Sequence, residues 1–204
     1  MIHVDQKPEP LAFLAQVGKP GARFLTSNRN PTSEEWKSHS YWRKLIPELH
    51  DAYDGICAYS SEFIPLVTGN DTVEHFLPKS RHPNQAYRWT NYRLVCLRMN
   101  GRKGARQILD PFKIKNAWFT LQFPSLQILI GSTMPSCLHS IATATISILD
   151  LNGEGSIKSR ERWVRNYCRG HISSTYLQQN APFIYMELQR QCLMGNIVGV
   201  MRYP

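Results

Sequence analysis

The chain has 204 residues, of which 42% are hydrophobic and 11% aromatic, and these supply enough apolar surface to bury a core of domain size. No run approaches the roughly 18 apolar residues of a membrane-spanning helix, and the N-terminus carries acids and prolines where a signal peptide would be basic and then apolar. The net charge of +9 favours a polyanionic partner, although many basic proteins bind no nucleic acid. We therefore expect a soluble cytoplasmic protein with no membrane association.

The first 53 residues divide into two parts. Residues 1–30 hold three prolines and two glycines with little periodicity, which predicts an irregular arm. From residue 32 to residue 53 the pattern predicts a helix, with Thr32 or Ser33 as its N-cap and Pro47 as a point where it kinks or divides. The apolar residues at helical spacing are Trp36, Trp42, Leu45, Ile46, Leu49 and Tyr53. We attribute this stripe to core packing rather than to ligand binding.

Residues 55–104 have a different character. Short β-like pieces alternate with loops rich in proline and asparagine, and a stretch rich in glycine, arginine and lysine follows. The β-like pieces are residues 56–59, 72–76 and 92–96. This pattern predicts a small α+β element with polar residues around a cleft.

The pattern of the remaining residues predicts a hairpin followed by helices. Two apolar runs on either side of Pro124 predict the hairpin over residues 117–130. Helices are expected over residues 136–149, 159–168 and 175–194, with Pro182 near a helix boundary. The helices either complete the core or present a partner surface, and the sequence leaves both interpretations open.

The residues with the clearest chemical meaning lie in three neighbouring runs. These runs are residues 71–80 (DTVEHFLPKS), 89–94 (WTNYRL) and 96–104 (CLRMNGRKG). They contain an acid–histidine pair, Glu74 and His75, then Asn91, then Asn100 with Lys103 three positions later. The pattern resembles that of the HNH endonucleases, which carry an acid–histidine pair on a strand, a central asparagine, and a final histidine or asparagine that opens a helix near a lysine. The likeness to that core covers about a quarter of the chain.

A wider likeness extends to bacterial HNH proteins of anti-phage defence, including retron-associated and Septu-type nuclease subunits. It rests on residues 57–59 (CAY), 110–112 (DPF) and 149–152 (LDLN), the last followed by Arg160. The resemblance implies an α+β fold with a ββα-metal core, surrounding helices and a small additional hairpin. Along the chain, we expect an N-terminal arm and helix over residues 1–54, an HNH nuclease core over 55–115, and a hairpin and helical region over 116–204. The chain has no repeats and no obvious linker, which favours one compact unit.

The histidine and the acid suit phosphodiester hydrolysis. His75 can take a proton from water, because the ordinary pKa of imidazole lies near working pH. In the resembled fold, the acid at the position of Glu74 is a metal ligand, and backbone distortion brings it to the same site although strand neighbours point to opposite faces. The resemblance also makes Asn100 a metal ligand through its amide oxygen. One carboxylate, one amide, water and substrate oxygens suit Mg²⁺ or Mn²⁺. Asn91 is implied to hold the loop and orient the histidine.

Basic residues around the motif are candidates for phosphate contact. They are Lys79, Arg98, Arg102 and Lys103. A phosphate contact would neutralise backbone charge, whereas the alternatives are a plain loop role for Lys79 and a solvated helix face for the others. His82 is either a second imidazole near the site or an exposed loop residue.

The chain departs from many relatives at its cysteines. Those relatives carry two Cys-x-x-Cys pairs that bind a structural zinc, whereas only Cys57 and Cys96 occupy these positions here, with Ser60 and Met99 at the other two. Serine and methionine are poor substitutes for thiolates. We therefore expect no structural zinc, and we expect both cysteines to pack as small buried residues.

The resemblance implies a metal-dependent endonuclease that cuts nucleic acid, with DNA favoured as substrate. By the same likeness, its partners include an ATPase or other sensor subunit of a defence complex. An RNA-cleaving nuclease, with tRNA among its substrates, uses the same chemistry and stays open. A non-catalytic nucleic-acid-binding or scaffold subunit also stays open, although the intact polar set argues against it.

Overall fold

The computed structural model describes residues 1–203, which divide into two compact units. The N-terminal unit consists of residues 5–57 and 64–106. The C-terminal unit consists of residues 1–4, residues 58–63 and the described residues from Gln107 onward. The α+β class expected from the sequence is confirmed, because both units combine helices with a small antiparallel sheet. The three-part division of the chain stays a prediction.

The first twelve residues have no regular structure, as expected, but residues 13–27 are helical, so the expectation of an irregular arm is wrong for that part of residues 1–30. A π-helical turn, Leu14–Gly18, runs directly into α1, Lys19–Ser27. Pro20 lies in the first turn of α1. The buried face consists of Phe13, Val17, Gly21 and Phe24. Their helical spacing is present in the sequence, but the proline and glycines obscure it.

The next helical stretch begins where the sequence predicts. Thr32 caps α2, Ser33–Ser38, in a reciprocal arrangement: the Glu35 N–H donates to Thr32 Oγ1 at 3.3 Å, and the Thr32 N–H donates to the Glu35 carboxylate at 2.7 Å. The stretch does not continue as one helix. A 3₁₀ segment, Tyr41–Leu45, follows α2, and α3 covers Ile46–Ala52 with Pro47 in its first turn. The predicted division at Pro47 is therefore confirmed.

A strand–strand–helix unit forms the centre of the N-terminal unit. β1, Asp71–His75, pairs antiparallel with β2, Tyr92–Cys96, and α4, Leu97–Lys103, follows β2 without an intervening loop. The predicted strands at 72–76 and 92–96 are confirmed to within one residue. The third β-like piece, residues 56–59, forms no strand; it holds a single bridge residue and turns. The order of these elements along the chain is β-β-α, and the ββα-metal core stays a prediction.

The C-terminal unit contains the second sheet and the remaining helices. β3, Phe119–Gln122, pairs antiparallel with β4, Gln127–Ile130, so the hairpin around Pro124 is confirmed. The predicted helices are also present, although α6 begins earlier than expected and a break falls just before Pro182. The helices are α5, His139–Ile148; α6, Glu154–Cys168; α7, Ser174–Asn180; α8, Pro182–Arg190; and α9, Ile197–Met201. Within residues 1–203, no helix combines the length and apolarity needed to cross a membrane.

Candidate active site

A cavity of about 570 Å³ in the N-terminal unit brings the motif residues together. β1 contributes Glu74 and His75 to its lining, and α4 contributes Asn100. Lys79, from the loop that follows β1, lines the same cavity. The segment from Ser33 to Ile46, which precedes the strand–strand–helix unit in the chain, supplies much of the rest. All of these residues belong to the N-terminal unit.

His75 is fixed in one orientation by a backbone carbonyl. Its Nε2 lies 2.9 Å from the oxygen of Ala86. Because a carbonyl oxygen only accepts, Nε2 must carry the hydrogen, and the lone pair of the neutral ring is then on Nδ1. The ring packs edge-to-face against Trp42, at 4.7 Å between centroids, and against Tyr92 at 5.2 Å. Within the described chain, Nδ1 makes no hydrogen bond and is left as the basic atom.

Burial keeps this imidazole neutral. His75 is only 7% exposed, and desolvation, together with the positive charges of Lys79 and Lys103, lowers its pKa to about 3. The hydrogen bond to Ala86 opposes this shift without reversing it. The ring therefore has an empty proton-accepting position at any pH near neutrality.

Glu74 lies in the interior beside a buried lysine. The two side chains are 3% and 1% exposed, and Lys103 Nζ lies 2.6 Å from Glu74 Oε1. The Nζ also donates to the backbone oxygens of His75, at 3.3 Å, and Gly104, at 3.4 Å. Burial raises the pKa of Glu74 to about 7, although the charge of Lys103 acts in the opposite direction.

The position of Lys103 corrects two expectations from the sequence. It is neither a phosphate contact nor part of a solvated helix face, because its ammonium group lies inside the protein. Only tertiary packing decides this, since Glu74 and Lys103 come from different elements, β1 and α4. Its role in this structure is to hold the Glu74 carboxylate and to tie the end of α4 to β1.

Asn91 holds the loop between the strands. Its Oδ1 accepts from the Leu77 N–H at 2.7 Å, and its Nδ2 donates to the carbonyls of Leu77, at 3.0 Å, and Gln85, at 3.1 Å. Ala86, whose carbonyl fixes His75, directly follows Gln85. Asn91 thus bonds the loop that carries Ala86, and no direct bond joins the Asn91 and His75 side chains in the described structure.

Asn100 lines the cavity, and one end of its amide is held by a hydrogen bond. Its Nδ2 donates to Thr72 Oγ1 at 2.8 Å, and that hydroxyl donates to the Val95 carbonyl at 2.6 Å. These bonds fix which end of the amide is the donor. Oδ1 of Asn100 and Oε2 of Glu74 have no hydrogen-bond partner among residues 1–203.

These two oxygens fit a hard divalent cation. Carboxylate and amide oxygens are the donors that Mg²⁺ and Mn²⁺ prefer, and Mg²⁺ usually binds through few protein ligands while keeping several waters. Within the described residues, there is no group of three or more histidine, cysteine, aspartate or glutamate side chains that could hold a metal. A cation bound between Glu74 and Asn100 would therefore complete its coordination with water and substrate.

The predicted phosphate contacts differ in their positions. Lys79 lines the cavity, half-buried, with its Nζ 5.5 Å from the centre of the Trp42 ring. Arg98 is exposed and Arg102 half-buried on α4, and neither lines the cavity. His82 is exposed in the loop, which agrees with the simpler of its two interpretations.

Sequence reasoning missed the side chains that α2 and the 3₁₀ segment bring to the site. Trp42 contacts His75, and Lys37 and Arg43 line the cavity. Charged residues beside buried tryptophans are ordinary on an amphipathic helix, so the sequence held no signal that set these two cations apart. The interpretation of this stretch as core packing is correct for Trp36 and Trp42, which are both buried, but incomplete.

Cys57 and Cys96 both lie in the N-terminal unit. Cys57 is buried, as expected, whereas Cys96 is half-buried at the end of β2. The absence of a structural zinc stays a prediction.

Comparison with known proteins gives a distant similarity to a defence protein. No protein-family model matches the chain. Over 106 residues the chain is 28% identical to the Septu protein PtuB of Bacillus thuringiensis. The aligned part covers 51% of this chain and 37% of that protein, so this chain spans well under half of the relative. The similarity supports a distant relationship to a Septu protein.

Proposed function

We propose that this chain is a metal-dependent endonuclease that hydrolyses phosphodiester bonds, with DNA as the favoured substrate. One observation carries the proposal. His75 is held at Nε2 by Ala86, with Nδ1 unbonded, in a cavity that Glu74 and Asn100 also line. A fixed neutral imidazole beside oxygen donors is the arrangement that general-base attack of water on a phosphodiester requires.

His75 accepts the proton of the attacking water at Nδ1. The lowered pKa of the ring ensures that this atom is unprotonated before the reaction. A phosphodiester bound in the cavity brings a negative charge beside the ring, and this charge raises the pKa and favours the imidazolium that forms. The Ala86 carbonyl stabilises the same cation, since it accepts from Nε2 throughout.

Glu74 and Asn100 would hold the metal ion through Oε2 and Oδ1. When bound, a divalent cation neutralises the scissile phosphate and stabilises the leaving oxygen. Lys103 holds the other carboxylate oxygen of Glu74, and Thr72 fixes the amide of Asn100. Both donors are thus oriented before the cation arrives.

We further propose a role in anti-phage defence. The similarity to a Septu protein supports this, as does the motif's likeness to HNH proteins of defence systems. By the same likeness, the chain has an ATPase or other sensor subunit of a defence complex as a partner.

The test is cleavage by the purified chain. Supercoiled plasmid, linear duplex, single-stranded DNA and tRNA are incubated with Mg²⁺, Mn²⁺ or EDTA. We expect metal-dependent cutting by the wild type and a loss of about a hundredfold or more in His75→Ala. His82→Ala is the matched control, because that histidine is exposed and lies outside the cavity lining. Equal cutting by wild type and His75→Ala would refute the proposal, and cutting of tRNA alone would change the substrate to RNA.

A further inference from the structure

We propose that the cavity binds a single-stranded polynucleotide, with its backbone along Lys37, Arg43 and Lys79 and its bases against the neutral surface of α4. This inference rests on the proposed function, because it concerns the substrate of the same site. It adds the strand state of the substrate and two contacts, Lys37 and Arg43, that the motif does not contain.

Charge is unevenly distributed over the cavity lining. The three cations belong to α2, the 3₁₀ segment and the loop after β1. Leu97 and Asn100 of α4 line the cavity together with Gly104 and Ala105, which directly follow the helix, and this part of the lining carries no charge. The one acid in the lining, Glu74, is paired with Lys103. The cavity therefore has a cationic part and a neutral part.

This division matches the chemistry of an unpaired strand. A single strand presents phosphates on one side and uncovered bases on the other, and proteins bind it with a positive groove beside apolar or aromatic surface. Leu97 is 56% exposed although it is apolar, so it offers such a surface to a base. A duplex offers no base face to cover, since its bases are stacked and paired.

The depth of the reacting groups leads to the same conclusion. Glu74 and His75 are 3% and 7% exposed, so the scissile phosphate must enter the cavity to reach them. A volume of about 570 Å³ is within the range of small-molecule pockets, which leaves room for a nucleotide or two. A flexible strand can place one phosphate there, whereas a paired duplex must first unstack, which costs free energy.

Arg43 is the most available of the three cations. Lys37 is paired with Glu34 at 2.7 Å, and Lys79 lies over Trp42 in a half-buried position. The exposed Arg43 side chain has no ion pair or hydrogen bond within the described chain. Its charge can be reversed without breaking a contact of the fold.

The experiment measures binding in EDTA, so that cleavage cannot interfere. Fluorescence anisotropy compares a single-stranded DNA, the same sequence as a duplex, and a single-stranded RNA of that sequence, across a salt series. Arg43→Glu is compared with Arg23→Glu, an identical change at an exposed position of α1 outside the cavity lining. Thermal melting of both variants verifies that they fold.

We expect the single strands to bind more tightly than the duplex, with a salt slope of about −2 for three phosphate contacts. Arg43→Glu should weaken single-strand binding about tenfold, because it replaces an attraction with a repulsion, while Arg23→Glu changes it little. The comparison of single-stranded DNA with single-stranded RNA shows which polynucleotide binds more tightly. Equal or tighter binding of the duplex, or equal losses in the two variants, would overturn the inference.

Failure of this inference is distinguishable from failure of the proposed function. If the chain cuts duplex in a reaction that needs both metal and His75, and shows no preference for single strands, the proposed nuclease activity stands and the single-strand inference fails. Tight, Arg43-dependent binding of single strands without any cutting would remove the nuclease and leave a single-strand binding protein.

Discussion

Removing the charge of Lys103 should make the stability of the N-terminal unit strongly dependent on pH. Lys103→Met keeps the length and apolar stem of the side chain but leaves Glu74 buried without its cation. At 2.6 Å and an effective dielectric constant of about 20, the lost attraction is about 6 kcal/mol before desolvation is considered. The carboxylate can avoid much of this cost by taking up a proton.

The sign of the pH effect follows from the pKa of Glu74. In the wild type it is raised from its usual 4.5 to about 7, so the stability that protonated Glu74 contributes is complete below pH 4.5 and is lost as the pH rises to about 7. In Lys103→Met the folded-state pKa of Glu74 is higher still, and the loss of stability continues above pH 7. Each further pH unit then costs about 1.4 kcal/mol. The difference in free energy of unfolding between the variant and the wild type should therefore grow by up to about 2.7 kcal/mol from pH 7 to pH 9.

Urea unfolding in EDTA over this pH range, followed by tryptophan fluorescence, measures the difference. The double variant Glu74→Gln/Lys103→Met is the control, because it has no buried carboxylate, and its difference from Lys103→Met should increase with pH. A Lys103→Met profile parallel to that of the wild type would refute the reasoning. It would mean that Lys103 does not control the ionisation of Glu74.

Two further predictions concern the loop at the site and the packing of α1. Asn91→Ala leaves the Leu77 N–H and two carbonyls without their partners, so we expect the free energy of unfolding in urea to fall by about 2 to 3 kcal/mol and the ¹⁵N shifts of the His75 ring to change. Asn91→Asp retains the acceptor and should recover part of both effects. Unchanged ring shifts in Asn91→Ala would contradict the positioning role. Gly21→Ala places a Cβ 2.1 Å from the Tyr87 ring, so we expect the fold to be destabilised by about 1 to 3 kcal/mol. Thermal melting measures this, with Ala22→Ser on the exposed side of the same helix as the control. An unchanged melting temperature would show that the ring moves aside freely.

Much of the local structure follows from the sequence. The β1 and β2 strands, the Thr32 cap, the break near Pro47 and the hairpin around Pro124 all depend on residues within a few positions of one another, through alternation, capping and proline geometry. The same local signals explain the missed helix near the N-terminus, because Pro20 and the neighbouring glycines hid the periodicity of α1.

Tertiary structure alone decided the surroundings of the site. The sequence made Lys103 a candidate phosphate contact, whereas the packing of α4 against β1 buries it beside Glu74. Trp42 and Arg43 lie on a segment with no catalytic signature, and they reach the site because the 3₁₀ segment packs on β1. Residue type and local spacing determine which helices and strands form and which groups have suitable chemistry. Burial, and with it the pKa of His75 and Glu74 and the cations available to a substrate, depends on which distant segments pack together, and local sequence does not encode that.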